Sequence, residues 1–590
     1  MVNALEKKRT PSWWKEGTTV YQVYPASFKD DNGDGLGDLK GLISKLDYIK
    51  SIGVEAVWLS PHYKSPRVDE GYDISDYKDV HEPFGTLQDC QELIDKCHEK
   101  GLKILFDLVV NHTSDKHAWF EESRSSRDNK KADWYYWKDP KGYDANGKPI
   151  EPNNWRACFG GSVWEWDETR KQFYLHYFVK EQPDLNWENE EVRRAIYEDA
   201  VLFFLDRGLD GYRIDTVNMY SKYLDFPDAP VVAPETPWQP AGQYFTNGPR
   251  LSEFLKELRR DTFSKYDTLT IGELPNTPSL DKILSYISVD AEALDCTILF
   301  DQMDLDHSGG QYPLIKKDWQ LKDFKRLAAF AQQLADPKNR SHALSYIENH
   351  DQARCVSRFA SDAPEHRLAS SKLLATYLLG LSGSVIIYEG QEIGMINAPK
   401  SWDIDVEYKD VNTINTWREI REDAKKLNDP SLVERGEAGI RLTARDHART
   451  PMQWDNTKNA GFSSNPDAKP WMRVMDSYSE GINVAAQQDD PNSTLNFYRF
   501  LLKLRQQYRD LFVTGLFELH DAENNETFVF TKTALDGRVA LVTLNFTATK
   551  QPFAVPEALA GKDGKLLFST LGSDGEAKEL GAYEARVYLY

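Results

Sequence analysis

The sequence predicts an α/β protein built on a (β/α)8 TIM barrel, with an inserted domain after the third barrel strand and a C-terminal antiparallel β-domain. Eight short runs rich in β-branched and aromatic residues alternate with stretches of helical period, which is the pattern of parallel βα units. Four of these runs end on an acid or a histidine, and a barrel of this type presents its functional site at the carboxyl ends of its strands. The eight runs are residues 19–24, 55–60, 103–111, 211–217, 269–274, 297–300, 345–349 and 384–388.

Helical stretches lie between most of the predicted strands, for example 39–52 and 86–100. The second stretch opens with Thr86 and Asp89 at the spacing of a capping box. It closes on Gly101, the residue type that most often ends a helix. Both ends of this helix are therefore marked in the sequence.

Three segments exceed a plain barrel. Residues 113–188 are too many for a connection and hold thirteen aromatic residues between 134 and 178, so we expect a small domain over the barrel mouth whose rings mostly form its own core. Residues 389–460 are long and polar and predict a second excursion at the same rim. After residue 510, short alternating strands are separated by turn residues, as in an antiparallel sheet. The predicted domains are the barrel at 1–112 and 189–512, the insert at 113–188 and a C-terminal β-sandwich at 513–590.

Composition narrows the classes of partner. The formal net charge is -21, which disfavours nucleic acids and anionic membranes because phosphate binding requires clustered Lys and Arg. The five cysteines are scattered without C-x-x-C spacing, so neither a disulfide framework nor a thiolate metal site is predicted. The first sixteen residues lack an apolar core, and no stretch approaches a membrane span of roughly 20 apolar residues. We therefore expect a monomeric cytoplasmic protein.

Acids at two neighbouring strand ends are the candidate catalytic groups. Asp215 closes the fourth run, and Arg213, two positions earlier, points to the same side of the strand. A guanidinium there keeps the carboxylate ionised, as a nucleophile requires; a plain structural ion pair is the competing interpretation. Glu273 follows Gly272 at the next strand end, where partial burial lets a carboxyl group hold its proton near neutral pH.

Two histidines and a third acid follow other runs. His112 comes after Asn111, and Asp351 comes after His350. The imidazoles can donate hydrogen bonds to a polyhydroxylated ligand, and Asp351 can contact its hydroxyl groups or stabilise a developing cation. Paired carboxyl groups acting as nucleophile and acid/base are the recurrent solution for glycosidic cleavage, whose transition state resembles an oxocarbenium ion. The constellation predicts an enzyme that cleaves glycosidic bonds.

Six motifs connect the chain to a known family. They are Asp107-Leu-Val-Val-Asn-His112, Gln182-Pro-Asp-Leu-Asn186, Gly211-Tyr-Arg-Ile-Asp215, Gly272-Glu273, Glu348-Asn-His-Asp351 and Ala448-Arg-Thr-Pro-Met-Gln-Trp454. With these motifs the sequence resembles the α-amylase superfamily of glycoside hydrolases, in the branch of oligo-1,6-glucosidases and fungal maltases. The resemblance spans nearly the full length.

The resemblance implies a retaining mechanism in which Asp215 is the nucleophile, Glu273 the acid/base and Asp351 the stabiliser of the transition state. It also implies that an Asp69–Arg449 pair closes the pocket beyond one glucose, which makes the enzyme exo-acting. The residues that it places around the terminal glucose are Asp69, Tyr72, His112, Phe159, Phe178, Arg213, Thr216, His350 and Arg449.

A loop near the N-terminus carries oxygen ligands at alternate positions around a glycine turn, like the first part of an EF-hand loop. Position twelve of that pattern is Gly41, so the bidentate Glu is missing. Similar α-glucosidases bind one structural Ca²⁺ here, and we expect the same; a metal-free Asp/Gly turn is the alternative. The predicted ligands are Asp30, Asn32, Asp34, Leu36 and Asp38.

Linkage preference depends on the residue after the nucleophile, Thr216. In similar fungal enzymes, Thr at this position accompanies α-1,4 hydrolysis and Val accompanies α-1,6 hydrolysis, so the resemblance implies a maltase. The expected substrates are maltose, maltotriose, sucrose and isomaltose. The alternatives are an isomaltase, a sucrose-isomerising or transglucosylating relative and, last, a non-enzymatic protein like the transporter heavy chains.

Overall fold

Eight parallel strands form the centre of the computed structural model, which describes residues 11–14, 17–234, 236–277, 279–307, 312–576 and 578–590. All eight predicted barrel strands are present, although several are shorter than the sequence runs. The strands are β1 (Thr19–Val23), β2 (Ala56–Leu59), β3 (Lys103–Leu108), β4 (Gly211–Ile214), β5 (Leu269–Glu273), β6 (Cys296–Ile298), β7 (Leu344–Ser345) and β8 (Ser384–Tyr388).

Neighbouring strands in the sheet are consecutive in the chain, except that β1 also pairs with β8. A single parallel bridge between Cys296 and His342 joins β6 to the approach of β7 and closes the ring. Every residue of β1, β2, β4 and β5 is buried, because helices cover the outside of a parallel barrel and side chains fill its inside. The TIM-barrel prediction is confirmed.

Helices surround the barrel as the periodicity predicts. The predicted helix 39–52 is divided into two at Lys45, whose ψ of 4° is not helical. The helix Leu87–Glu99 has the predicted capping box between Thr86 and Asp89. The longer outer helices are Leu39–Ser44, Leu46–Ile52, Leu87–Glu99, Glu190–Ala195 continued by a π-helical turn at Ile196–Leu202, Leu251–Asp261, Leu280–Ile287, Leu321–Gln332, Arg367–Gly380 and Thr494–Gln507.

The segment after β3 contains the helix Ala118–Ser125 and a small antiparallel sheet of Trp137–Lys138, Gln172–Leu175 and Trp164–Asp167. Some of its aromatic rings pack in a cluster of their own, among them Trp155, Trp164 and Phe173, while others, including Trp134 and Tyr135, join the barrel core. Phe226 and Phe245, from the loop that follows β4, complete this cluster. The sequence did not indicate that the loop belongs with the insert, because its few apolar residues follow no regular period.

The rim excursion after β8 contains two antiparallel-packed helices, Val411–Leu427 and Pro430–Thr443. We call Val411–Leu427 the rim helix. Both helices begin with an aspartate N-cap: Asp410 caps the rim helix and Asp429 caps the next helix. The excursion brings polar residues to the carboxyl ends of the barrel strands, as the sequence predicts.

The C-terminal part is a five-stranded antiparallel sheet whose spatial order is β9 (Leu516–Leu519), β10 (Thr527–Thr533), β11 (Val539–Asn545), β13 (Ala585–Leu589), β12 (Lys565–Ser569). The sequence predicts four of these strands and misses β9, which is exposed on one face and half-buried on the other. One face of the sheet joins the barrel core, and a ribbon of Gln551–Pro552 with Glu579–Leu580 contributes Leu580 to the cover of the other face. Among the described residues, no helix is long and apolar enough to cross a membrane.

Candidate active site

A cavity of about 250 Å³ opens at the carboxyl ends of the barrel strands. Most of the residues predicted for the site line this one cavity, although they come from distant parts of the chain. Arg213, His350 and Arg449 do not line it and lie behind its wall, fully buried. The predicted residues that line the cavity are Asp69, Tyr72, His112, Phe159, Phe178, Asp215, Thr216, Glu273 and Asp351.

Arg213 is hydrogen-bonded to both catalytic carboxyl groups, Asp215 and Glu273, and to Asp107. The strand register places it opposite Asp107 on β3. Its Nη1 donates to Asp107 Oδ1 at 2.7 Å and to Asp215 Oδ1 at 2.8 Å, while Nη2 donates to Glu273. One guanidinium therefore holds Asp215 and Glu273 side by side. Their oxygens are separated by no more than the distance between the two Nη atoms plus one hydrogen bond on each side. Such closeness suits a nucleophile paired with an acid/base.

Thr216 ties the same two carboxyl groups together from the other side. Its backbone N–H donates to Glu273 Oε2 at 2.7 Å, and its hydroxyl donates to Asp215 Oδ2 at 3.1 Å. This geometry requires φ of 38° and ψ of 41°, a left-handed conformation that is costly for a β-branched residue. The strain is located between the two acids whose arrangement it secures.

The surroundings of Glu273 favour its protonated form. Burial raises the pKa of Glu273 well above its ordinary value; Arg213 opposes this shift, and the negative charges of Asp215 and Asp351 add to it. The carboxyl group can therefore hold a proton near neutral pH, where it can act as a general acid.

Asp351 has the opposite character. Burial opposes its ionisation, but His350, Arg445 and Arg449 face the carboxylate and bring its pKa below the ordinary value. Its Oδ1 accepts from Arg445 Nη1 at 3.0 Å and from Arg449 Nη2 at 3.2 Å. Asp351 is thus a permanent negative charge at the wall of the cavity.

His350 is neutral and fixed in one tautomer. Burial lowers its pKa to about 3. The Gln22 side-chain amide donates to Nδ1 at 2.8 Å, so the proton of the neutral ring is on Nε2. Nε2 faces Asp351 Oδ2 at 3.1 Å and the Tyr72 hydroxyl at 2.6 Å, and the Tyr72 ring stacks on the imidazole. His350 therefore orients Tyr72 and Asp351, and it reaches the cavity through them.

The predicted pair between Asp69 and Arg449 is wrong. Asp69 Oδ1 accepts from Arg445 Nη2 at 3.1 Å, and Arg445 lines the cavity. Arg449 lies deeper, where it donates to Asp410 at 2.8 Å and to the His350 carbonyl at 3.0 Å. The two arginines are four residues apart, so they share a direction, and the spacing alone did not reveal which of them is nearer the cavity.

The insert supplies the remaining wall. Phe159 and Phe178 are in contact, with 5.8 Å between ring centroids, and Arg445 lies over the Phe159 ring. His112 packs edge-on against Phe178. Gln182, from the Gln-Pro-Asp-Leu-Asn motif, donates to Asp69 Oδ2 at 3.2 Å. An aromatic wall beside a polar end suits a ligand with both apolar faces and hydroxyl groups.

The sequence profile of the α-amylase catalytic domain matches residues 22–515. The chain belongs to the α-amylase family. It is 47% identical to an α-glucosidase of Candida albicans over 98% of this chain and 99% of that protein. It is 43% identical to an oligo-1,6-glucosidase of Saccharomyces cerevisiae over 100% of this chain and 99% of that protein.

Solved structures agree with the family assignment. The structure of a trehalulose synthase mutant bound to Tris superposes with a TM-score of 0.89 at 36% identity, covering 98% of this chain and 99% of that one. A trehalose-6-phosphate hydrolase of Bacillus licheniformis superposes with a TM-score of 0.87 at 37% identity, with coverage of 98% and 99%. The protein is therefore a glycoside hydrolase of the α-amylase family.

Asn412, a cavity residue that the sequence reasoning did not single out, comes from the rim excursion, as does Arg445, which takes the place expected of Arg449. Others, including Asp304 and His307, come from the loop after β6. The excursion was predicted to reach the rim, but nothing in its sequence distinguishes these residues from other surface polar residues. Asp410 is hidden for the same reason, since in sequence it resembles an ordinary helix N-cap.

The predicted calcium loop uses its acids to organise its own backbone. Asp30 accepts N–H bonds from Gly33 at 2.6 Å and Gly35 at 2.8 Å, and Asp38 accepts from the backbone of Asp31, Asn32 and Gly41. Among the described residues, no three His, Cys, Asp or Glu side chains converge as metal ligands. These hydrogen bonds organise the loop, and calcium binding stays a prediction.

Proposed function

We propose that the protein is an exo-acting, retaining α-glucosidase that hydrolyses the terminal α-1,4-linked glucose of maltose, maltotriose and related short substrates, and that also cleaves the α-glucosidic bond of sucrose. The observation that carries this proposal is the arrangement of Asp215 and Glu273 around one guanidinium at the bottom of a single cavity. The names of the two relatives above, both glucosidases, support the same class of substrate.

In the first half of the reaction, a carboxylate oxygen of Asp215 attacks the anomeric carbon while Glu273 protonates the glycosidic oxygen. The C–O bond to the leaving sugar breaks, and a glucosyl ester forms on Asp215. In the second half, Glu273 takes a proton from water, the water oxygen attacks the anomeric carbon, and the ester bond breaks. The product is α-glucose, since two inversions restore the configuration.

Asp351 stabilises the positive charge that develops on the sugar ring in both transition states, because it is ionised and faces the cavity. Asp69 and Arg445 close the cavity beyond the terminal glucose and offer an acceptor and a donor to its hydroxyl groups. A closed end admits one sugar unit, which supports exo action.

The decisive experiment incubates the purified protein with maltose, isomaltose, sucrose and starch and follows the products and their anomers by NMR. We expect α-glucose to appear first from maltose, with little release from starch. Formation of sucrose isomers or longer glucosides as the main products would indicate the isomerising or transglucosylating alternative instead. Release of the glucosyl unit of sucrose as β-glucose would contradict a retaining mechanism, since fructose is the other product and all the glucose comes from the transferred unit.

Variants of the acids connect the activity to the site. Asp215→Ala should abolish turnover, since no other carboxylate can form the ester. Asp210→Asn is the matched control: Asp210 is a buried acid at the opposite end of β4, where it pairs with His98 and Lys103. It should retain activity. A fully active Asp215→Ala variant is incompatible with the covalent intermediate.

A further inference from the structure

At the closed end of the cavity lies a cluster of charges, which we call the two-arginine cluster: Asp69, Asp351 and Arg445 line the cavity, and Asp410 and Arg449 lie behind them. Asp410 Oδ2 accepts from Arg445 Nη2 at 2.7 Å and from Arg449 Nη1 at 2.8 Å. It does not line the cavity, and it is only 2% exposed. Asp410 is therefore a charge that the substrate cannot reach, joined to both arginines that touch Asp351.

The other oxygen of Asp410 is also fully engaged. Oδ1 caps the rim helix by accepting from the backbone of Asn412 at 3.0 Å and Thr413 at 3.3 Å. The backbone N–H of Asp410 donates to Asp446 at 2.9 Å, which fixes the position of the cap. An aspartate so constrained has no freedom to follow the arginines, so the arginines must take their positions from it.

The charges of the cluster are closely balanced. Three carboxylates share two guanidinium groups, and Asp351 is the carboxylate that both arginines also contact. If Asp410 were neutral, the positive charge of the two arginines would fall on Asp351 and Asp69 alone. The negative potential at the sugar ring would then weaken where the transition state needs it.

We propose that Asp410 is a positioning residue for catalysis: through Arg445 and Arg449, it sets the place and the charge balance of Asp351 and Asp69. The proposal rests on the proposed glucosidase function for the reaction that it serves. It connects the rim helix, a feature outside the barrel, to the stabilisation of the oxocarbenium-like transition state.

The test compares Asp410→Asn, Asp410→Glu and the matched control Asp429→Asn with the wild type. Asp429 caps the neighbouring helix Pro430–Thr443, and its carboxylate bonds to Ser431 and to Arg435, at 3.4 Å, on that same helix. The measurements are kcat and KM on maltose, thermal unfolding, and the Kd of two ligands, glucose and the cationic iminosugar 1-deoxynojirimycin. The iminosugar probes the site with a positive charge like that of the transition state.

For Asp410→Asn we expect kcat/KM to fall about 100-fold, mostly in kcat, because a buried charge network loses its anchor. The iminosugar should lose more affinity than glucose. Asp410→Glu keeps the charge but displaces it by one methylene, and we expect a loss of about tenfold. Asp429→Asn should match the wild type in every measurement except a small change in unfolding temperature.

Several outcomes overturn the proposal. One is an Asp410→Asn protein with the kinetics of Asp429→Asn; another is an equal loss of affinity for iminosugar and glucose, which indicates general damage to the pocket. If Asp410→Asn does not fold, unchanged kcat and iminosugar affinity in Asp410→Glu reject the positioning role. A wild type that binds the iminosugar but does not cleave maltose rejects the proposed function, while the affinity ratios still decide the role of Asp410.

Discussion

Replacement of Thr216 by Val tests how the residue between the two acids sets linkage preference. The Thr216 hydroxyl donates to Asp215 Oδ2 at 3.1 Å, and Val puts a methyl group in its place. Loss of this hydrogen bond should cost about 1 kcal/mol, or roughly fivefold in kcat/KM, for every substrate alike. That part of the effect reports on the nucleophile and contains no information about linkage.

The new methyl group takes the place of the hydroxyl beside Asp215, in the wall of the cavity that Thr216 lines, and we expect it to face the leaving sugar. An α-1,4-linked leaving sugar is attached directly through its ring and must lie against that methyl group. An α-1,6-linked sugar is separated by one more methylene and can turn away from it. Differences of this size in a pocket are worth about 1 to 3 kcal/mol, or roughly 10- to 200-fold. Thr216→Val should raise the isomaltose-to-maltose ratio of kcat/KM within that range.

The assay measures kcat/KM on both disaccharides for the wild type, Thr216→Val and Thr216→Ala. Both variants lack the hydroxyl, and they differ in the bulk of the side chain beside Asp215. The uniform loss should be shared by the two variants, whereas the change in ratio should be specific to Val. A ratio in Thr216→Val within twofold of the wild type, or an equal change in Thr216→Ala, would refute this reasoning.

Three further predictions concern protons, metal and stability. Because burial raises the pKa of Glu273 and the acid must be protonated, kcat should fall as pH rises through that pKa, and Glu273→Gln should lose this limb in a pH profile on a substrate with a good leaving group. Thermal unfolding of the protein in millimolar Ca²⁺ and in chelator should differ, and Asp30→Asn should remove the difference; identical curves for the wild type would reject the calcium site. Lys532 is buried with Ser382 as its hydrogen-bond partner, and burial lowers its pKa well below the ordinary value, so protonation favours the unfolded chain and stability should rise with pH up to about 10. Lys532→Met should flatten that dependence and raise the unfolding temperature at pH 7.

The barrel could be predicted from the sequence because each strand is a buried run, such as β2. The helices between the strands carry start signals, such as the capping box of the helix Leu87–Glu99. Strand β9 escaped prediction because its residues alternate only weakly between buried and exposed faces. The loop after β4, which completes the insert core through Phe226 and Phe245, depends on contacts between segments far apart in the chain. Local pattern cannot reveal such contacts.

The candidate site likewise has a part that the sequence predicts and a part that it does not. Asp215, Glu273 and Asp351 lie where strand ends put them, so barrel geometry alone brings them to one cavity. The error over Arg445 and Arg449 has another origin. Both belong to a rim excursion whose path is fixed by tertiary packing, and a shift of four residues decides which guanidinium reaches Asp69. Sequence identifies such a pair more readily than it orders the two members.

The charged groups around the cavity form two sets, one bound to Arg213 and the other in the two-arginine cluster, and their charge balance explains how both sets serve the reaction. Arg213 is shared by Asp107, Asp215 and Glu273, and the two-arginine cluster contains three more carboxyl groups. Carboxyl groups outnumber guanidinium groups even when Glu273 carries its proton, and the excess of negative charge grows as Asp107, whose pKa burial raises to about 7, loses its own proton. A neutral sugar gains little from such an excess, whereas a sugar ring that becomes positive gains much. The excess negative charge therefore stabilises the transition state more than the substrate. The arginines hold the buried acids together against their mutual repulsion.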